Sequence, residues 1–325
     1  MPERFNKAIV IGDACVDIHI SMEDLRHYDE AGDMPYQISP GGTCGGTAVM
    51  LARLGVETSF LGSIGSDFGG RYLKKQYKAL SMDTSMMIEE ESLNTINVFA
   101  FINETGERHL WAFPRSDQAY AQLDLYKVDP DKIRTAAWLH SSGMAMLKEG
   151  GARENIPELF KIAYEAGVPT SFDFNTRVSD LNSLDQGAVD AIRRTLPYVK
   201  ILTGSAKDEF VSFSDCDDWK ESIRSFANEE RIVIARMGKD GFIVIHDGEE
   251  RKFPSYNVEV KDSTGAGDCF NAGFIAGILD GKDLYEACAY ANGVSAYKIS
   301  HPEDVIEKDK IETFMKNTAL RKAEE

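Results

Sequence analysis

The chain has 325 residues, of which 43% are hydrophobic, and carries 36 Lys and Arg against 53 Asp and Glu, a formal charge of −17. That length and composition allow a substantial core and exclude collagen-like, disulfide-scaffold and wholly disordered chains. So acidic a surface repels phosphate backbones and anionic lipids, which argues against nucleic-acid and membrane partners. It leaves room for a small anion held by backbone amides inside a cleft. Cys15, Cys44, Cys216, Cys269 and Cys288 are scattered and form no C-x-x-C pair, so reduced thiols in a cytoplasmic protein are expected rather than a zinc site. The N-terminal stretch lacks the apolar core of a signal peptide, and Phe270 to Leu279, the longest uncharged apolar run, is too short to span a bilayer.

In chain order, Ala8–Ile11 is a predicted buried strand, Thr47–Leu54 a helix ending at Gly55, Ser59–Gly62 a strand and Gly70–Leu80 a helix. Further strands are expected at Trp138–His140, Pro169–Phe172, Val199–Leu202 and Ile232–Ala235. Helical patterns lie at Glu154–Ala166, Asp185–Leu196 and Asp217–Asn228. Strands alternating with helices imply right-handed crossovers and a mainly parallel sheet covered on both faces. Two segments break the rhythm, about 15–39 and 95–113, the second with a turn signal at Asn103-Glu104-Thr105-Gly106. They read as strands outside the main sheet, and one α/β domain over 1–325 with a small β appendage is expected.

The most informative stretch is Asp262-Ser-Thr-Gly-Ala-Gly-Asp268, running into a helix whose inner face carries Phe270, Phe274, Ile275 and Ile278. Gly265 and Gly267 permit positive φ and close backbone approach. The amides of Gly265, Ala266, Gly267 and Asp268 are expected to point outward at the positive end of the helix, an anion site. Asp268 in that first turn is placed to remove a hydroxyl proton while the amides hold a transferring phosphoryl group.

This string resembles the C-terminal signature D-T-x-G-A-G-D of the PfkB/ribokinase family of carbohydrate kinases, with Ser263 in place of the usual Thr. It is not a Walker P-loop, since no G-x-x-x-x-G-K-[ST] occurs. The resemblance implies a ribokinase-like three-layer α/β fold with a β-sheet lid, ATP and Mg²⁺ as cofactors, and in some relatives a monovalent cation such as K⁺ beside the Asp262 loop. It makes Asp268 the catalytic base, with Gly265, Ala266 and Gly267 as the anion hole. Asp262 and Thr264 fall on the nucleotide side.

A second glycine-rich turn, Pro40-Gly-Gly-Thr-Cys-Gly-Gly-Thr-Ala48, also enters a helix. Its glycines expose backbone to which a polyol can hydrogen-bond. It resembles the family's G-G-x-x-x-N-x-A, so Gly41 and Gly42 are substrate-binding candidates. Gly46 replaces the usual sugar-binding Asn and leaves space for a bulkier sugar or for water. Asp13 and Asp17, after the first strand, resemble the family's early acids that hold sugar hydroxyls. Phe172-Asp-Phe-Asn-Thr-Arg177 resembles the D-x-N-x-R of 2-keto-3-deoxygluconate kinases and fructokinases. Asn175 and Arg177, together with Arg115 near the lid, therefore become candidates for an acidic group on the sugar.

At the nucleotide end, Ser205-Ala-Lys-Asp208 stands where the family has N-x-x-E. That implies an indirect, water-mediated role for Ser205 and Asp208 at Mg²⁺. Ile232 to Gly241 resembles the family's strand and G-x-x-G turn, placing Arg236 near nucleotide phosphates with Gly238 and Gly241 in the turn. Asn292 resembles an adenine-pocket position. The expected function is an ATP-dependent kinase of a small sugar or sugar acid, with a possible homodimer through the lid. A nucleoside kinase and a non-catalytic sugar-binding regulator of the same fold are the alternatives.

Overall fold

The computed structural model describes residues 5–23, 36–103, 108–178 and 181–322. The strand β1 (Ala8–Ile11) is followed by two lid strands, β2 (Cys15–Ser21) and β3 (Tyr36–Gly41). Next come α1 (Thr43–Arg53), β4 (Thr58–Gly65), α2 (Phe68–Ala79) and β5 (Met87–Glu90). β6 (Ile96–Ile102) and β7 (Arg108–Phe113) complete the lid. The short helix α3 (Pro130–Arg134) leads to β8 (Trp138–Ser142), α4 (Gly151–Glu165), β9 (Thr170–Asp173), α5 (Gln186–Thr195) and β10 (Ile201–Ser205). After α6 (Glu209–Phe213) and α7 (Trp219–Ser225) come β11 (Ile232–Arg236), β12 (Phe242–His246) and β13 (Glu249–Phe253). Three helices follow, α8 (Ala266–Leu279), α9 (Leu284–Ser300) and α10 (Lys308–Asn317).

The large sheet has the order β13-β12-β11-β10-β9-β8-β1-β4-β5. It is parallel from β11 through β5 and antiparallel at β12 and β13. β1, covered on both faces, is apolar throughout, and every side chain of its Ala-Ile-Val-Ile is buried. Helix boundaries follow capping chemistry: Asp67 accepts the Gly70 amide to start α2, and Asp283 with Glu286 closes a capping box on α9. α8 buries Phe270, Phe274 and Ile275, with the Phe274 ring edge-on to Trp138 at 6.2 Å. Each such side chain contributes roughly 1.5–3 kcal/mol. On its other side α8 packs closely on α9, because Gly273 and Gly277 meet the backbone of Ala291 and Ala287.

The separate lid segments do assemble into one four-stranded sheet, β3-β2-β6-β7. The β2–β6 pairing is parallel and joins strands about eighty residues apart. Of the turn expected at Asn103–Gly106, all but Asn103 lies outside the described residues. The β12–β13 hairpin lies outside the strands expected above, although its turn is a two-residue signal. Asp247 and Gly248 have φ of 50° and 74°, the primed-turn geometry favoured by Asp-Gly. α7 is shorter than the predicted 217–228, because Asn228 turns the chain by accepting the Glu230 and Arg231 amides.

Between β11 and β12, Gly241 has φ 88° and ψ −134°, and a Cβ there would run into the Phe253 carbonyl. Substituting Gly241 by Ala is expected to cost about 2–3 kcal/mol of unfolding free energy from backbone strain and this clash. Urea denaturation of both proteins at one pH checks it; equal midpoints would show that the turn relaxes.

Candidate active site

Successive crossovers from β1 run first towards β4 and β5 and then, on its other flank, towards β8, β9 and β10. The strand order therefore reverses at β1, and the crevice outside the carboxyl ends there is the natural ligand site of an open α/β sheet. Asp13 lies just beyond β1. Its Oδ2 accepts the Thr43 amide at 2.7 Å and its Oδ1 the Cys44 amide at 3.3 Å. The carboxylate thus ties the glycine-rich loop and the N-terminus of α1 to the sheet. Each oxygen keeps a second lone pair for a ligand hydroxyl.

Asp17 points from β2 to the same crevice. Burial raises its pKa, against a hydrogen bond from the Cys15 thiol at 3.2 Å. Its carboxylate lies against Gly41, where any Cβ would collide with it. A Cβ on Gly42 would stand 3.1 Å from Asp13 Oδ2, and one on Gly46 3.5 Å from Asp268 Oδ2. The space left at Gly46 therefore opens directly onto Asp268.

α8 begins at Gly265, which has φ 73°. The preceding loop is held by the Thr264 amide donating to Asp262 Oδ1 at 2.8 Å. The Ala266 amide donates to the Ser263 carbonyl at 3.3 Å, so it turns into the loop rather than outward as expected. The first intrahelical bond runs from the Cys269 amide to Gly265 at 2.9 Å. Gly267 and Asp268 thus supply first-turn amides that have no carbonyl partner within the helix.

Asp268 is only 8% exposed. Burial first, then the negative charges of Asp173 and Asp13, push its pKa up to about 8, with Arg177 and Arg236 pulling the other way. Asn175 Nδ2 donates to Asp268 Oδ1 at 3.3 Å.

Asn175 and Arg177 have φ of 30° and 58°, strained values for non-glycine residues in the loop after β9. Glu209 holds that loop. Its Oε1 accepts the Thr176 and Arg177 amides at 2.8 and 3.3 Å, and its Oε2 the Ser205 amide at 2.9 Å. Burial raises the pKa of this carboxylate. Glu209 follows Asp208 directly and is the inward-facing acid of the pair. The available signal was position: Glu209 shares its helix with the buried Phe210 and Phe213, so it faces inward. Ser205 Oγ donates to Asp208 Oδ2 at 2.6 Å, and this pair sits at the surface.

Three further candidates are placed as follows. Arg236 is turned inside: its Nη2 donates to the fully buried Asp173 at 2.7 Å and its Nη1 to Asn271 Oδ1 at 3.2 Å. Its charge thus stands behind the α8 loop instead of reaching out to a nucleotide. Asn292 Nδ2 donates to the Pro254 carbonyl at 3.0 Å, which ties α9 to the chain after β13. Arg115 stands exposed just past β7, outside the hydrogen-bonded cluster. Gly238 and Gly241 do form the turn after β11, where the Met237 amide meets the Gly241 carbonyl at 2.8 Å. No group of three His, Cys, Asp or Glu suited to a metal ion occurs among the described residues. A divalent ion here would therefore rely on phosphate oxygens and water.

The crevice combines a buried carboxylate, helix-start amides and flanking acids with an arginine, the equipment of hydroxyl activation beside an anion. The chain is 28% identical to aminoimidazole riboside kinase of Salmonella typhimurium over 99% of its own length and 98% of that protein. It is 26% identical to 5-dehydro-2-deoxygluconokinase of Bacillus subtilis, covering 92% of this chain and 91% of the relative. A structure of a ribokinase II from E. coli in complex with ATP and Mg²⁺ superposes with a TM-score of 0.80 at 24% identity, over 96% of this chain and 99% of that one. The fold is ribokinase-like, and no helix among the described residues is long and apolar enough to cross a membrane. The family model for pfkB family carbohydrate kinases matches residues 6–310, and the chain belongs to that family.

Proposed function

We propose that Asp268 is the base of an ATP-dependent phosphotransfer to a primary hydroxyl of a small sugar or sugar acid. The observation that carries this reading is the Asp268 carboxylate itself, buried in the first turn of α8 between the Asp13–Asp17 side of the crevice and the loop of Asn175 and Arg177. Asp13, Asp17 and the Gly41–Gly42 backbone orient the sugar, and Asp268 takes the hydroxyl proton as that oxygen attacks. The Gly265–Gly267 turn and the first-turn amides of α8 receive the charge that builds on the phosphoryl oxygens. ATP would supply the phosphoryl group and Mg²⁺ would offset its charge when bound, with Ser205 and Asp208 as the residues that would hold the metal through water. Gly238, Gly241, Asp262, Thr264 and Asn292 border the nucleotide side. A monovalent cation beside the Asp262 loop is compatible with this arrangement. We read residues 1–325 as one cytoplasmic kinase domain closed by its lid.

Because the base must be ionised, kcat/KM is expected to rise about tenfold per pH unit and to level above about 8. Replacing Asp268 by Asn should lower turnover by roughly 10²–10⁴-fold while the protein stays folded. The same shift fixes a stability sign. Below pH 4 the acid is protonated in both folded and unfolded chains; between about 4 and 8 only the unfolded chain ionises, so stability falls as pH rises to 8. The Asn variant should therefore melt higher than the native protein at pH 8, with the gap closing near pH 4. A lower melting point for Asp268→Asn at pH 8 contradicts the buried, protonated acid.

Within the sugar or sugar-acid class, Arg177, whose charge acts on both Asp268 and Asp17, favours an acidic sugar and would pair with its carboxylate. The open space at Gly46, facing Asp268, favours a nucleoside as the second reading, in keeping with the aminoimidazole riboside kinase relative. ADP release from ATP with D-fructose, 2-keto-3-deoxygluconate, 5-dehydro-2-deoxygluconate, adenosine and aminoimidazole riboside separates them. Arg177→Met should raise KM for the acidic sugars by about tenfold or more and leave D-fructose unchanged. An equal effect on all acceptors would remove Arg177 from recognition.

The lid is read as a dimer surface. Register puts Asp17, Val98 and Ala112 on one face, and Ile18, Phe99 and Trp111 on the other. Trp111 stacks on Phe113 at 5.6 Å, and the two are 46% and 53% exposed. So large an aromatic patch invites a partner. Light scattering should give a dimer for the native chain and a monomer for Trp111→Lys; a native monomer at 50 μM would dismiss the pairing.

A further inference from the structure

Beneath the first turn of α8 lies a closed network of groups drawn from four elements. Arg236, at the end of β11, donates Nη2–H to Asp173 Oδ1 at 2.7 Å. Asn271 of α8 donates Nδ2–H to Asp173 Oδ2 at 2.7 Å, so both carboxylate oxygens are engaged. Asn271 Oδ1 in turn accepts from Arg236 Nη1 at 3.2 Å and from Thr203 Oγ1 of β10 at 3.0 Å. Arg236 Nη1 also reaches the Gly267 carbonyl at 3.4 Å. Asp173 is fully buried and the Arg236 side chain is 18% exposed.

We infer that Asp173, Arg236 and Asn271 form a positioning lock that sets the Gly267–Asp268 peptide and the charge felt by Asp268. The peptide plane supplies the mechanism. A trans peptide points its C=O and N–H in opposite directions, so holding the Gly267 carbonyl inward on Arg236 aims the Asp268 amide out of the helix start. The guanidinium also fills the space under Gly267, where a Cβ would come within 3.2 Å of Nη1. Its planar fork suits this double duty, which a point-like ammonium meets only in part. Breaking a buried pair by removing one partner leaves an uncompensated charge, and that charge would act on Asp268.

The charged and titratable groups facing Asp268 are Asp13 beyond β1, Asp173 on β9, Arg177 in the following loop, Arg236 on β11 and its neighbour Cys269. Asp173 opposes ionisation of Asp268 and Arg236 favours it. The lock therefore places two opposite charges behind the base, and an arginine cannot discharge by losing its proton. Neutralising Asp173 alone must leave a cation that eases ionisation of Asp268.

The inference rests on reading Asp268 as the base, yet its test uses no substrate, so its failure is separable from a failure to find turnover. Protein labelled with [¹³C]aspartate gives the Asp268 titration midpoint from the carboxyl resonance missing in Asp268→Asn. The native midpoint is expected near 8, and Asp173→Asn should lower it by roughly one unit or more. The double variant Asp173→Asn/Arg236→Gln, in which both charges are gone, should bring the midpoint back towards the native value but leave it below, because Asp173 acts on Asp268 more strongly than Arg236 does. It should also raise amide hydrogen exchange in a peptide spanning 262–271 by about tenfold, leaving that of α7 unchanged, while Arg236→Lys with Asp173 intact restores part of the protection. Where the single variant does not fold, the double variant decides by exchange. An unmoved midpoint in folded Asp173→Asn, or native exchange at 262–271 in the double variant, overturns the lock.

Discussion

The Asp268 carboxylate sits in the first turn of α8 with 8% of its surface exposed, and burial there opposes its ionisation. The rest of the crevice answers that conflict. α8 is packed between the large sheet and α9, where Gly273 and Gly277 let two backbones touch. The helix start, Arg177 and Arg236 return part of the lost solvation as fixed dipoles and charges. The balance leaves a carboxyl whose pKa is pushed up to about 8. Such a group can take a proton from an alcohol more readily than an ordinary Asp can, because it holds that proton more tightly.

Strand order puts these groups in reach of each other. Asp13, Asp173, Ser205 and Arg236 belong to four strand ends of one sheet, and parallel crossovers bring all four ends to a single edge. Glu209 then ties the loop after β9 to the end of β10 through their backbone amides. The strained φ values at Asn175 and Arg177 are held by those bonds. Rigid strand ends and a buried carboxylate clamp thus position side chains that a free loop would leave mobile.

Net charge and local field are opposed in this protein. A chain of −17 is poorly suited to polyanions, yet the α8 start offers outward amides with a guanidinium behind them. Arg236 does this from inside, paired with Asp173, so the surface carries no sign of it. The lid shows the same separation between its faces. Its Asp17 face turns to the crevice, while its Trp111 and Phe113 face carries exposed aromatic rings.

Local patterns carried the alternation of strands and helices, the two glycine-rich helix starts and the isolated β segments, because periodicity, capping and turn chemistry act over a few residues. The sequence alone thus determined the fold class, the kinase family and Asp268 as the residue to watch. It named Arg236 but could not place it, since the partners Asp173, Asn271 and Gly267 lie 31 to 63 residues away. Beside the exposed Asp208, Glu209 faces inward, because one position on a short helix decides between solvent and core. The two lid faces were equally apolar-looking at period two, and only pairing with β2, which carries Asp17, told them apart. Tertiary structure alone settled which charges meet, because a buried ion pair depends on distances between strand ends that no local spacing encodes.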